Sequence, residues 1–263
     1  MPKFFVVSDV HSYLVPLEKA LKEKGFDPNN EDHWLISCGD LFDRGGDSAM
    51  LLHYIMQLPR KILVKGNHDL LLEELCMREF PYNHDISNGT KSTVDDIGGA
   101  GYGRPFDECC QITWNKTAAY RDLLVNYFET QNYIFVHSWI PTNVKYDHGA
   151  SKPWYQVGKK LTWMEDWRNA NDVEWEEAMW GNPFKRWQEN LNQTGKTIVF
   201  GHWHCSAGHV MLGNCKNEFE DYHGYTIWEP CYADGIIGID RCTAHTGEVN
   251  VLVLEDDFLE DKL

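Results

Sequence analysis

Carboxylates, imidazoles and one amide recur in this chain where apolar, β-branched runs end. The segments are Asp9-Val10-His11, Gly39-Asp40-Leu41-Phe42-Asp43-Arg44-Gly45, Gly66-Asn67-His68-Asp69, the lone His137, and Gly201-His202-Trp203-His204. Asp9 and His11 are two apart, and a strand's period of two puts both side chains on one side, within reach of one ion. His202 and His204 repeat that spacing. Asp40 has two carboxylate oxygens and can bridge two metals. Asn67 offers a neutral carbonyl oxygen and His137 a ring nitrogen. The donor set Asp9, His11, Asp40, Asn67, His137, His202 and His204 is oxygen and nitrogen without thiolate. It suits two divalent transition-metal ions, with manganese foremost and iron, nickel or zinc as further candidates, better than a soft-metal site. Any one of these histidines alone is better read as a core residue with its hydrogen bonds satisfied. The whole set, in this order and context, argues for a dinuclear metal centre.

The elements that must position these residues follow from periodicity. Strands are predicted over Phe4–Val10, Trp34–Cys38, Ile62–Val64, Tyr133–Val136 and Thr197–Phe200. Helices are predicted over Pro16–Gly25, Ser48–Leu58, Leu70–Glu79 and Ala118–Phe128. Such alternation implies parallel strands joined by right-handed crossovers. Between Phe80 and about Thr117 the pattern dissolves into a Gly-rich, polar insertion. A second insertion runs from Ile140 to about Gln193. The closely spaced runs Tyr225–Trp228, Ile236–Ile239 and Val249–Leu254 suggest a mainly antiparallel second sheet. The acidic end from Glu255 to Leu263 is expected to fray. No internal repeat or linker divides the chain, so one domain over residues 1–263 carrying two insertions, at about 80–117 and 140–193, is expected.

Of the 263 residues, 43% are hydrophobic, enough for a sizeable core. The net charge of -16 argues against a general nucleic-acid or anionic-membrane binder. It is compatible with an anionic substrate, because bound ions dominate the local field. The run after Met1-Pro2-Lys3 is too short for a signal-peptide core and leads directly into Asp9. No stretch is long enough to cross a bilayer. The eight cysteines contain no CxxC pair and read as free buried thiols, so a cytoplasmic location is expected.

Taken together, the motifs from Asp9 to His204 resemble the calcineurin-like metallophosphoesterases. Asp43-Arg44-Gly45 and Asn88-Gly89-Thr90-Lys91-Ser92-Thr93 resemble marks of the bacterial and phage phosphoprotein-phosphatase branch. Trp180-Gly181-Asn182-Pro183 and Ile239-Asp240 with Gly247 resemble two further segments of that branch. The resemblance implies an α/β fold, a four-layer αββα sandwich of two mixed sheets with the metal site at the strand C-terminal ends. It implies that Asp9, His11, Asp40 and His204 hold one ion, and Asp40, Asn67, His137 and His202 the other. His68 would be the general acid, Asp43 its orienting partner, and Arg44 the phosphoryl grip. In-line attack by a hydroxide held between the ions, without a phosphoenzyme, is then expected. The substrate is expected to be phosphorylated: a phosphoprotein, for a phosphomonoesterase of serine/threonine phosphatase type, or alternatively a dinucleoside polyphosphate such as diadenosine tetraphosphate. The closing Gly-His-x-His is typical of the broad superfamily, and Asp69 stands where the branch usually has Glu. A second substrate arginine has only Arg168 and Arg186 as candidates.

The segment from Trp154 to Trp187 holds six of the eleven tryptophans. Most are expected to pack a small satellite core, with one or two edging the cleft. The run Gly98-Gly99-Ala100-Gly101-Tyr102-Gly103-Arg104 is expected to be a mobile loop, since no Gly-Lys-Ser/Thr follows it. His53, His84, His148, His209, His223 and His245 have no ligand-spaced partner.

Overall fold

Period-two alternation assigns each strand residue to one of two cores. In the computed structural model, which describes residues 1–147, 158–220 and 225–259, strand β1 is Lys3–Val7. Its Phe4 and Val6 enter a core shared by two sheets, while Phe5 and Val7 face a helical layer. Ile36 and Leu35 divide in the same way on β2 (His33–Ser37), as do Val64 and Leu63 on β3 (Lys61–Val64). Being buried on both faces, these strands read as continuous apolar runs.

The first sheet has the order β12-β1-β2-β3-β4, where β4 is Leu124–Val125 and β12 is Leu252–Glu255. β12 is antiparallel to β1; the rest are parallel. Its outer face carries α1 (Leu14–Glu23), α2 (Ser48–Gln57), α3 (Asn67–Arg78), α5 (Thr90–Gly98) and α6 (Phe106–Lys116). The second sheet has the order β10-β11-β9-β6-β5, from Cys231–Ala233, Ile236–Gly238, Thr197–Phe200, Tyr133–Phe135 and Phe128–Glu129. It too is mixed. Phe135 and Val199 meet the first sheet; Ile134, Val136, Ile198 and Phe200 face α8 (Asp172–Met179), α9 (Pro183–Gln188) and α10 (Cys205–Met211). The order of layers is helix, sheet, sheet, helix, as the resemblance implies.

Several local expectations are corrected. Residues 80–117 are not irregular: they form α4 (Asn83–Asn88), α5, a 3-10 turn at Ala100–Tyr102, and α6. The glycines that suggested a loop are helix caps, with Gly89 ending α4 at φ 86° and Gly99 ending α5 at φ 80°. The helix expected over Ala118–Phe128 is only α7 (Ala118–Arg121). Leu124 and Val125 instead pair with Leu63 and Val64, and this sheet contact overrides the helical spacing. The tail makes no sheet of its own: Tyr225–Trp228 is not a strand, β11 joins the second sheet and β12 the first. The second insertion contains the hairpin β7 (Thr142–Asp147) and β8 (Gly158–Trp163), then α8 and α9. Trp163 ends β8, and Trp167 opens a 3-10 turn at Trp167–Asn169. Trp167 and Trp175 are buried in the core of the second sheet, around Tyr127, and do not form a satellite. Trp154, His148, His223 and the end of the acidic tail lie outside the described residues. Among the described residues, no helix is long and apolar enough to cross a membrane.

Candidate metal centre

Each strand stops short of its motif, and after β1, β2 and β9 the chain turns left-handed. β1 ends at Val7 and β2 at Ser37, yet Asp9, His11 and Asp40 have φ of 50°, 51° and 51°. Asp43, Arg44 and His202 follow with 75°, 61° and 65°. Such backbone costs on the order of 1–3 kcal/mol per residue, and it persists where surroundings fix it. Here two loops fix one another: Cys38 N donates to Val7 O (2.8 Å), Asp9 N to Gly39 O (3.2 Å), His11 N to Asp40 O (3.1 Å) and Ser12 N to Leu41 O (2.7 Å). Asp9 and His11 thus share a site through turn geometry and not through strand alternation. Gly66 is needed by its neighbour, since a Cβ there would lie 2.1 Å from Asp40 Oδ1.

The carboxylates each commit one oxygen to the scaffold. Asp9 Oδ2 accepts from His202 N (2.8 Å) and from Ser8 Oγ, while Oδ1 faces His11 Nε2 at 3.8 Å. Asp40 Oδ1 accepts from His68 N (3.0 Å), while Oδ2 faces His137 Nε2 at 3.4 Å and His68 Nε2 at 3.9 Å. The imidazoles are oriented in the same fashion. His11 Nδ1 donates to Phe42 O (2.9 Å) and His137 Nδ1 to Cys38 O (2.8 Å), which turns both Nε2 lone pairs inward. His137 Nε2 then meets Asn67 Oδ1 at 2.7 Å and His202 Nδ1 at 3.2 Å. An amide oxygen facing the His137 Nε2 lone pair at 2.7 Å is repulsive without a cation between them, so the donor set fits a metal. Asp40, His137 and His202 form one group of converging ligand atoms; His11, Asp40 and His68 form another. Asp40 belongs to both.

Burial and Arg44 push His11 down to about 4, and burial and His137 push His202 down to about 4. Burial also lowers His204. Neutral imidazoles are the form that binds metal. Burial alone would raise Asp40, but His137, His68, His11 and His202 outweigh it and hold the carboxyl below its ordinary range. His68 moves the other way from its neighbours: burial lowers it, but Asp40 and the hydrogen-bonded Asp43 more than offset this and raise it.

His68 is the second residue of α3, and its Nδ1 lies 2.6 Å from Asp43 Oδ2. Asp43 is wholly buried and also accepts from Thr90 Oγ1 (2.6 Å) and Thr93 Oγ1 (2.8 Å). Neither threonine was singled out from sequence as a site residue, although both belong to the Asn88–Thr93 motif. Arg44 is exposed, and its Nη2 lies 3.4 Å from His68 Nε2. Among the described residues it makes no salt bridge to Asp43 or Asp47. A Cβ on Gly89 would lie 2.3 Å from Arg44 N, so this glycine lets α5 approach the Asp43-Arg44 turn.

His204 is not grouped with the other donors. It stands at the start of α10, with Nδ1 buried, without a hydrogen bond, and 3.8 Å from Glu218. Neither candidate second arginine reaches the donors: Arg168 pairs with Glu129 (2.6 Å), and Arg186 is buried under Gly181 with Nη2 on Glu177 O (3.1 Å). Asp69 caps α3 through Gly66 N (2.8 Å) and accepts from Tyr120 (2.7 Å). His84 lies on Asp85 and His209 on the Glu229 carbonyl, away from the cluster.

The family model for calcineurin-like phosphoesterases matches residues 2–206. The chain belongs to the calcineurin-like phosphoesterase family. The family is one of phosphoesterases and implies divalent metal ions. Over 236 residues it is 38% identical to a symmetrical bis(5'-nucleosyl)-tetraphosphatase of Pseudomonas syringae pv. tomato, covering 85% of this chain and 69% of that protein. A protein of the same name from Pectobacterium atrosepticum is 41% identical over 69 residues, so the match spans about a quarter of either chain (26% and 24%). Among solved structures, a putative diadenosine tetraphosphatase is similar at 17% identity and TM-score 0.47, covering 97% of this chain and 91% of its own. A serine/threonine phosphatase from Saccharomyces cerevisiae is similar at 17% identity and TM-score 0.46, covering 77% and 61%.

Proposed function

We propose that this metallophosphoesterase hydrolyses dinucleoside polyphosphates of the diadenosine tetraphosphate kind. The sequence motifs put a serine/threonine phosphomonoesterase first; the 38% identity to a tetraphosphatase over 236 residues favours the polyphosphate reading. In this reading Asp9, His11, Asp40 and His204 hold one ion, and Asp40, Asn67, His137 and His202 the other, with manganese the foremost candidate. When bound, two such ions lower the pKa of water toward neutrality and neutralise phosphate charge. Arg44 faces the same space as His68 Nε2, so its fork can take phosphoryl oxygens while His68 passes a proton to the leaving oxygen. Asp43 stabilises the protonated His68, and Thr90 and Thr93 keep Asp43 aimed at Nδ1. A cytoplasmic setting is part of the proposal, supported by eight free cysteines.

The test is a panel of diadenosine tetraphosphate, a phosphoserine peptide and p-nitrophenyl phosphate, assayed with manganese, nickel, iron and zinc. The proposal expects diadenosine tetraphosphate to have the highest kcat/KM. A phosphopeptide preferred by tenfold or more would restore the phosphomonoesterase reading.

A further inference from the structure

Trp180 leaves about half of its surface in water, at 48% exposure, beside the donor cluster. Its ring centroid is 6.4 Å from that of His202, with the planes at 90°. Two other indoles of this insertion behave differently: Trp167 and Trp175 are buried around Tyr127. The backbone around Trp180 is fixed from several sides. Trp180 N closes α8 by donating to Glu176 O (3.2 Å). Ser138, next to His137, donates to Gly181 O (2.7 Å). The Arg186 guanidinium packs on the Gly181 peptide so closely that a Cβ there would lie 2.4 Å from Nε. Asn182 caps α9 through Lys185 N (2.9 Å). The backbone that carries this indole is thus fixed from several sides at the rim of a site whose candidate ligands are charged or polar.

We propose that Trp180 is the stacking platform for a nucleobase of the substrate. The inference rests on the polyphosphate activity proposed above and names the part of the substrate that Trp180 recognises. A protein of net charge -16 attracts a polyphosphate only through bound ions and nearby cations. Stacking adds an attraction that does not depend on charge and accepts any base, because every base has a π-face. A phosphoserine or phosphothreonine side chain has no planar group to place there.

The experiment compares wild type, Trp180→Ala and Trp180→Phe, each loaded with manganese. Base stacking predicts that Trp180→Ala raises KM for diadenosine tetraphosphate about tenfold more than that for inorganic tetraphosphate. It also predicts about tenfold weaker ADP binding by calorimetry, with pyrophosphate binding changed far less, and Trp180→Phe recovering most of the loss. Equal changes with and without a base, or unaltered ADP affinity, would overturn the platform. Failure of the wild type to cleave diadenosine tetraphosphate would overturn the activity instead, and the ADP-against-pyrophosphate comparison still judges Trp180.

Discussion

Replacing Asp43 by Asn tests the proton-transfer machinery most directly. Asp43 is wholly buried and accepts three side-chain hydrogen bonds, from His68, Thr90 and Thr93. The amide is isosteric, and its carbonyl can still face His68 and Thr90, so the fold should survive. What disappears is the charge opposite the imidazolium. A hydrogen bond to an ionised group contributes about 1.5–3 kcal/mol, against about 0.5–1.5 for a neutral pair. The difference, roughly 1–2 kcal/mol, is lost from the protonated His68 and converts to about a five- to thirtyfold smaller rate where proton donation limits turnover. Because Asp40 and Asp43 are what raise His68, the basic limb of the pH–rate profile, where the acid loses its proton, should move to lower pH in the variant. The assay is kcat on a series of aryl phosphates of increasing leaving-group pKa. The loss should fall on poor leaving groups and fade for p-nitrophenyl phosphate, which departs without a proton. A uniform loss across the series, or none, would refute the role given to the Asp43–His68 pair.

Three other outcomes follow from the same coordinates. Manganese should raise Tm reversibly to chelator, by an amount equivalent to about 2.7 kcal/mol at one hundred times Kd; an unchanged Tm would mean that the acceptors around His137 are not a metal site. Gly89→Ala puts a Cβ 2.3 Å from Arg44 N at φ 86°, and should cost at least about 2 kcal/mol in a urea titration. Glu129 is buried and bound by Arg168 and Lys196; burial raises its carboxyl, but those partners outweigh it and lower it. Its contribution is therefore full above the ordinary glutamate value of 4.5 and is lost as pH falls through the lowered one. The Tm gap between wild type and Glu129→Gln, worth about 1–3 kcal/mol at neutral pH, should close in acid; a gap that widens there would be inconsistent with this assignment.

The sequence alone carried the donor types and the parallel core. Doubly buried strands must be apolar throughout, so Phe4–Val7, Leu35–Ile36 and Ile198–Phe200 were legible as runs. The polar residues that follow them could only sit at strand ends. It could not show that Asp9, His11, Asp40 and His202 converge through left-handed turns, because that conformation is imposed by hydrogen bonds between loops distant in sequence. The same holds for Thr90 and Thr93, whose hydroxyls matter only once α5 is brought onto the Asp43 turn by the space at Gly89. Glycines that looked like loop residues became caps, and Leu124-Val125 became a strand, because a partner across the sheet outweighs local spacing. The status of His204 and Arg186 was likewise a tertiary matter. Residue type states what a side chain can do; packing decides which of its atoms face the site and which are committed to the scaffold.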